Sequence, residues 1–146
     1  MRKGFFKSKK NIISENKSDI TYQKNLKNKL DLAIFNHQKG NIDEAITNYE
    51  FYISKNESNP VCNTNLAVLY KSRNKIPEAL DLYEKTIINN PDFINGYINY
   101  SSLLLDLKLY TKCLEIIEKG LLIDCQSSDL IINKSLGLYF LKKYKQ

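Results

Sequence analysis

Glycine and proline are scarce in this chain of 146 residues, which contains only 5 Gly and 3 Pro. Folds with many tight turns depend on both residues, so the scarcity favours helices over a turn-rich β fold. Long apolar runs are missing too, which argues against a membrane-spanning helix. The first ten residues, MRKGFFKSKK, are charged but lack the apolar stretch of a secretory signal, and we therefore expect a cytoplasmic protein.

Cysteine and histidine, which supply most metal sites and many catalytic sites, are almost absent. The three cysteines (Cys62, Cys113 and Cys125) form no CxxC pair and no even-numbered disulfide framework, so we interpret them as small, reduced core residues. The single histidine, His37, has no second ligand and no nucleophile at a known spacing. We expect His37 to face solvent or a binding groove.

Other signatures of an enzyme are missing as well. The 5 glycines are isolated from one another and form no phosphate-binding loop. Carboxylates recur at equal spacing as Glu50, Glu84 and Glu118, which indicates an exposed helix face rather than an acid–base pair. We expect no enzymatic activity, no cofactor and no metal.

The positive charge is concentrated near the N-terminus. Residues 1–24 contain seven basic residues against Glu15 and Asp19, a net charge of +5, which leaves +1 for residues 25–146 out of the total of +6. We expect residues 1–24 to form a basic, disordered tail and residues 25–146 to form the folded domain. Binding of this tail to nucleic acid or an anionic membrane is a weaker hypothesis, because such a segment is more often a solubilising disordered arm.

A repeat of 34 residues runs through the remainder of the chain. The clearest column is Ala45, Ala79 and Cys113, which are small throughout and are each separated by this interval. Further columns keep their size class: Ala33, Ala67, Ser101 and Ser135; Leu32, Leu66 and Tyr100; Tyr49, Tyr83 and Ile117; and Ile42, Ile76, Tyr110 and Tyr144. Agreement in several columns over three or four rows indicates a repeat architecture.

Apolar residues fall at helical spacing twice within each repeat, which predicts a pair of helices per unit. Gly40 and Asn74 lie between the two predicted helices, and both residues tolerate the left-handed conformation that ends a helix. The predicted repeats span about 26–59, 60–93 and 94–127, followed by a single helix at 128–146.

The pattern resembles the tetratricopeptide repeat (TPR) over residues 26–146. The columns of Ala33 and Ala45 correspond to the family's small residues, and Tyr49 and Tyr83 correspond to its aromatic position. Departures are Ile117 at the aromatic position, and Glu57 and Cys125 where Pro91 matches the closing proline. The resemblance implies an all-α, right-handed superhelical array of antiparallel helix pairs, with about three repeats and a C-terminal capping helix.

The resemblance also implies a protein–protein interaction scaffold that binds an extended peptide in a concave groove along the first helices. The expected groove residues are Asp31, Ile34, His37, Asn65, Val68, Lys71, Asn99, Ser102 and Leu105. The column of Asp31 and Asn65 continues to Asn133 and resembles the asparagine ladder of the repeats preceding O-linked N-acetylglucosamine transferases, whose amides bind a peptide backbone. The alternative function is therefore an accessory module that presents substrate to a group-transfer enzyme. Because Asn is abundant in this chain, the alternative that this column reflects composition and has no function stays open.

A second binding mode of the family, the clamp for carboxylates at the C-terminal tails of chaperones, is not expected. The family has Lys and Arg at two groove positions where this chain has Leu30 and Asn99, and only Asn65 matches. Acidic C-terminal tails are therefore improbable ligands.

The last predicted helix is more apolar than a capping helix requires. Its large apolar residues are Leu130, Ile131, Ile132, Leu136, Leu138, Tyr139, Phe140 and Leu141. One stripe of them can pack on the third repeat, which leaves the others exposed. Three explanations stay open: self-association as a homodimer through Leu136, Tyr139 and Phe140, binding of another protein or peptide, and a chain cut from a longer array.

Overall fold

The computed structural model describes residues 9–55 and 59–143, with side chains from residue 20 onward. Within these ranges the chain forms seven α-helices and no β-strand. In chain order the helices are α1 (Lys9–Lys39), α2 (Ile42–Ile53), α3 (Pro60–Ser72), α4 (Ile76–Asn89), α5 (Ile94–Asp106), α6 (Tyr110–Ile123) and α7 (Ser128–Lys143). Of the predicted N-terminal tail, residues 1–8 lie outside the described residues.

Helix α1 begins at Lys9, well before the predicted domain start at residue 25, so residues 9–24 are helical rather than irregular. Neither proline nor glycine occurs between Gly4 and Gly40, and the local sequence therefore offers nothing that would stop the helix earlier. Ile20 and Tyr22 on this extension are 67% and 47% exposed, so these two apolar side chains are not part of a core.

The chain divides after Lys55 into two compact units. The first unit contains the helix pair α1 and α2, and the second contains the pairs α3–α4 and α5–α6. Helix α5 also contacts α3 and α4, and the single helix α7 packs on α5 and α6. The predicted all-α fold of helix pairs is therefore confirmed.

The turn inside each pair has the same backbone geometry. Gly40, Asn74 and Lys108 have positive φ angles of 77°, 57° and 58°. In each turn the following residue donates its N–H to the carbonyl five residues earlier: Asn41 to Asn36, Lys75 to Tyr70, and Leu109 to Leu104. This bond belongs to the Schellman motif, which ends helices with a left-handed residue. The left-handed conformation of Lys108 was not predicted, since lysine does not favour it by itself.

Two of the helix starts follow directly from the local sequence. The side-chain carbonyl of Asn59 accepts a hydrogen bond of 3.0 Å from the backbone N–H of Cys62, and Pro60 occupies the first turn of α3. Pro77 lies in the first turn of α4 in the same way. These residues fix where the two helices of the second predicted repeat begin.

The small-residue columns lie at the centres of the helix pairs. Ala33, Ala67 and Ser101 of the first helices are 0% exposed, and so are Ala45, Ala79 and Cys113 of the second helices. Large side chains fill the space beside them; for example, the rings of Tyr83 and Tyr100 stack with centroids 5.9 Å apart. Small residues at these positions let the helix backbones approach closely.

Two positions differ from what the repeat columns suggested. Cys62 and Cys113 are buried as predicted, but Cys125 is exposed and the prediction of a core residue is wrong there. Cys125 follows α6 in the connecting turn, at the position that the exposed Pro91 occupies one repeat earlier. Ser135, the fourth member of the Ala33 column, is also exposed, because no second helix covers α7 within the described residues.

Replacing Gly120 by Ala should lower the free energy of unfolding by about 1 kcal/mol or more. The added Cβ would lie 2.6 Å from Cδ1 of Leu130 and 2.9 Å from Cβ of Tyr97, so α6 would have to shift. Denaturant unfolding monitored by circular dichroism measures the change. Lys119→Ala, at the exposed neighbouring position, serves as the control. Equal stability of the two variants would contradict the close approach of α6 to α5 and α7.

Candidate functional site

A concave pocket of about 380 Å³ lies between α5 and α7 in the second unit. Its lining residues are Ser102, Leu105, Asp106, Lys108, Tyr110, Asn133, Leu136 and Phe140. The pocket joins Ser102 and Leu105, which were predicted for the groove, with Leu136 and Phe140, which were predicted for self-association. We call this site the α5–α7 pocket.

Close packing of α7 builds the walls of this pocket. A Cβ at Gly137 would lie 3.2 Å from Cδ2 of Leu114 and 3.6 Å from Cδ2 of Leu105, so glycine lets α7 approach both neighbouring helices. The ring of Phe140 stacks on that of Tyr110, with centroids 5.6 Å apart and an interplanar angle of 16°. Phe140 is therefore held in the wall by an intramolecular contact.

Helix α7 presents a row of exposed apolar side chains on the pocket side. Ile132, Leu136 and Tyr139 are 56%, 43% and 61% exposed, and their spacing of four and three residues puts them on one helix face. We call these three residues the groove stripe. They follow Ile98, Ser102 and Leu105 of α5 by one repeat length, so periodicity could have identified Ile132, which the predicted groove set omitted.

One member of the asparagine column, Asn133, links two helices. The side-chain amide of Asn133 donates to Oγ of Ser101 at 3.0 Å and to the carbonyl of Ile98 at 3.5 Å, which ties α7 to α5. Asn65 and Asn99, one and two repeats earlier, are partly exposed on α3 and α5. Asn133 bonds to Ser101 of the preceding unit. The equivalent residue for Asn99 is Ala67, which has no hydroxyl to accept such a bond. Asn133 thus stabilises the helix packing at the α5–α7 pocket.

An ion pair connects α3 and α5 beside the pocket. Nζ of Lys71 contacts Oδ2 of Asp106, and both side chains are about half exposed. The predicted groove residue Lys71 therefore has its charge matched within the protein. Val68, one turn earlier on α3, is 38% exposed and extends the apolar surface.

The other predicted groove residues lie in the first unit. Asp31 is exposed, and Ile34 is 39% exposed. The ring of His37 meets that of Tyr49 edge to face, with centroids 6.1 Å apart. The role of Asp31, Ile34 and His37 in peptide binding stays a prediction.

The described residues contain no cluster suited to a metal ion, and two of the three thiols are buried. No cluster of three His, Cys, Asp or Glu residues there could hold a metal ion. Burial raises the pKa of the Cys62 and Cys113 thiols to about 11, so both stay protonated and weakly nucleophilic at neutral pH. None of the described helices has the length and apolar character needed to cross a bilayer.

Comparisons with known proteins identify the fold. No family model matches the chain. The Hsp70-Hsp90 organizing protein 2 of Arabidopsis thaliana is 30% identical over 88 residues, a match that covers 60% of this chain but only 15% of that protein.

Solved structures match more of the chain. The TPR2B domain of yeast Sti1, in a pHsp70 complex, superposes with a TM-score of 0.71 at 17% identity and covers 78% of this chain and 96% of that one. The first TPR of Spaghetti (RPAP3), bound to the HSP90 peptide SRMEEVD, has a TM-score of 0.73 at 18% identity and covers 80% of this chain and 93% of that one. This chain has the tetratricopeptide-repeat fold. Its α3, α5 and α7 are first helices of successive TPR units, and the α5–α7 pocket lies between two of them.

Asn133→Ala should lower the free energy of unfolding by about 1 kcal/mol, because it removes the hydrogen bonds from α7 to Ser101 and Ile98. Asn99→Ala, in the same TPR column, should change it by less than about 0.5 kcal/mol. Urea unfolding of the two variants measures the difference. An equal loss in both would show that Asn133 has no special role in holding α7.

Proposed function

We propose that this chain is a non-catalytic adaptor that binds an extended peptide along the first helices of its TPR units. The α5–α7 pocket is the observation that carries the proposal, because it combines concave shape, apolar walls and polar groups at its edge. The solved TPR domains that bind Hsp70 and Hsp90 peptides support peptide binding by the same fold. As the chain matches only 15% of its plant relative, we propose nothing about the rest of that protein's activity.

The walls of the pocket suit one apolar side chain of a peptide. Leu105, Leu136 and Phe140 provide the apolar surface, while Ser102 provides a hydroxyl close to the peptide's path. An apolar side chain entering the pocket would displace water from these residues, and this burial would supply most of the binding energy. The groove stripe would extend the contact to neighbouring positions of the peptide.

Polar contacts along the groove would fix the peptide backbone. Asn99 is partly exposed, and a side-chain amide can both donate to and accept from a peptide unit. These contacts do not depend on the peptide's side chains, so sequence preference would come from the pocket. The three-membered asparagine ladder is not favoured, because Asn133 bonds to Ser101 and the Ile98 carbonyl. This weakens the alternative of a substrate-presenting module for a group-transfer enzyme.

The charge pattern argues for an internal peptide segment over an acidic C-terminal tail. Leu30 and Asn99 stand where the chaperone-tail clamp of the family has cations, and Lys71 is already paired with Asp106. At these positions a terminal carboxylate would therefore lose its hydration without gaining a charged partner. On this account the chain shares its fold with chaperone adaptors, but it selects an internal peptide segment rather than a C-terminal tail. Its reduced thiols suit the cytoplasm, where we place it.

A selection from a library of linear peptides, displayed with both ends blocked, tests the proposal. Peptides enriched on the full chain should contain a large apolar residue and should lose affinity about tenfold or more with Leu136→Glu, which places a charge at the pocket. Fluorescence anisotropy with labelled peptides measures the affinities.

The matched control is Leu138→Glu, the same substitution on α7 at a comparably exposed position outside the pocket lining. It should leave peptide affinity unchanged. The acidic peptide SRMEEVD should bind weakly whether its C-terminus is free or amidated. No enriched peptide, or enriched peptides that bind the Leu136→Glu variant normally, would contradict the proposal; tight binding of SRMEEVD that amidation abolishes would contradict the charge argument.

A further inference from the structure

The part of the groove between α3 and α5 is built from different residues than the α5–α7 pocket, although the two places are equivalent in successive TPR units. The apolar walls of the pocket are Leu105, Leu136 and Phe140. One repeat length of 34 residues earlier, each wall residue has a polar counterpart: Lys71, Ser102 and Asp106. We call these three counterparts the α3–α5 subsite. An apolar site and a polar site therefore lie one repeat apart in the same groove.

The side chains of the α3–α5 subsite are open to solvent and adjoin the pocket. Lys71 on α3 forms an ion pair with Asp106 on α5, and the two side chains are 40% and 56% exposed. Ser102 is partly exposed one helical turn before Asp106. Ser102 and Asp106 also line the α5–α7 pocket. A peptide with a side chain in the pocket would therefore pass within reach of the subsite.

The ion pair offers a ligand both donors and acceptors at zero net charge. The ammonium of Lys71 has several N–H donors, and the contact with Oδ2 of Asp106 leaves donors and acceptors over on both groups. A side-chain amide both donates and accepts, so it matches the two groups together. An acidic side chain would be repelled by Asp106 and a basic one by Lys71. An apolar side chain would remove water from both charges without replacing its hydrogen bonds.

The distance between the two sites selects the spacing of the peptide residues that fill them. Helix α5 contacts both α3 and α7, and the axes of packed helices lie about 8–10 Å apart. Three residues of a polyproline II chain advance about 9 Å, and its threefold symmetry returns every third side chain to the same face. In a β-strand, side chains three residues apart point to opposite faces. A polyproline II peptide therefore presents residues three apart to the two sites.

We propose that the peptide bound in this groove has an asparagine or glutamine three residues from its apolar anchor, and that Lys71 and Asp106 bind this amide. The anchor enters the α5–α7 pocket, and the peptide is in the polyproline II conformation between the two sites. The amide nitrogen donates to the carboxylate of Asp106, and the amide oxygen accepts from the ammonium of Lys71. This inference rests on the proposed function and adds a second source of sequence preference to that of the pocket.

Blocked synthetic peptides with a single leucine anchor, in a background of alanine and proline, test the spacing. Since the groove sets no chain direction, one series varies the position three residues before the anchor and another varies the position three residues after it. Glutamine should raise the affinity about fivefold over alanine in one of the two series, whereas glutamate and lysine should not. Glutamine two residues from the anchor should give no gain. Fluorescence anisotropy measures the affinities.

The Leu136→Glu variant separates this inference from the proposed function. Peptides that lose affinity with Leu136→Glu but show no preference for glutamine in either series would overturn the amide site and leave the pocket as proposed. A preference for glutamate or lysine would overturn the amide site equally. Peptides that do not bind, or that bind the Leu136→Glu variant normally, would contradict the proposed function and this inference with it.

Transfer of the pocket residues to the subsite tests the assignment of Lys71 and Asp106. The double variant Lys71→Leu, Asp106→Phe introduces the residue types of Leu105 and Phe140 at the equivalent positions, and it removes both charges of the pair together. The alanine peptide is the reference for each protein, because Asp106 also lines the pocket. We expect the gain from glutamine to disappear and leucine at that position to raise the affinity about fivefold.

The matched control removes another exposed ion pair, on the second helix α4. Its partners, Asp81 and Lys85, lie 2.8 Å apart, and the double variant is Asp81→Phe, Lys85→Leu. This control should keep the preference for glutamine, and circular dichroism should show both double variants folded. A preference for glutamine that survives Lys71→Leu, Asp106→Phe, or that is lost equally in the control, would contradict the α3–α5 subsite.

Discussion

Within the described residues, small side chains lie where the two helices of each pair cross. Ala67, Ala79, Ser101 and Cys113 are all fully buried at the crossings of the second unit, and Ala33 and Ala45 are buried equally in the first. Because the same crossing recurs every 34 residues, the large residues beside it are placed at the same interval. The TPR fold, the α5–α7 pocket and the unpaired face of α7 all follow from this spacing.

Helix α7 shows what the repeat does when its second helix is missing from the described residues. One face packs on α5 and α6 through Leu130, Gly137 and the Asn133 hydrogen bonds. A second face continues the groove, and a third exposes Ile131 and Leu138. The apolar character that looked excessive for a capping helix is thus divided among three faces of α7, one of which packs within the chain.

Periodicity made the helix pairs predictable from sequence, because burial at fixed columns constrains side-chain size at every repeat. The turns at Gly40 and Asn74 were predictable from residue preference, whereas Lys108 adopts the same conformation through the backbone hydrogen bonds of its turn. The start of α1 was missed, since basic composition says little about helix formation. At the site, the groove columns identified Ser102 and Leu105. The hydrogen bond from Asn133 was not predictable, because it depends on the hydroxyl of Ser101 and a column of small residues does not distinguish serine from alanine.

Leucine substitution at two members of one column tests the central claim most directly. Ala67 is fully buried at a helix crossing, while Ser135, two repeat lengths later, has no second helix over it. In dilute solution Ala67→Leu should lower the free energy of unfolding by about 1–3 kcal/mol, and Ser135→Leu should leave it within about 0.5 kcal/mol of the parent. Equal losses at the two positions would contradict the account, because they would show that the small-residue column does not mark where helices pair.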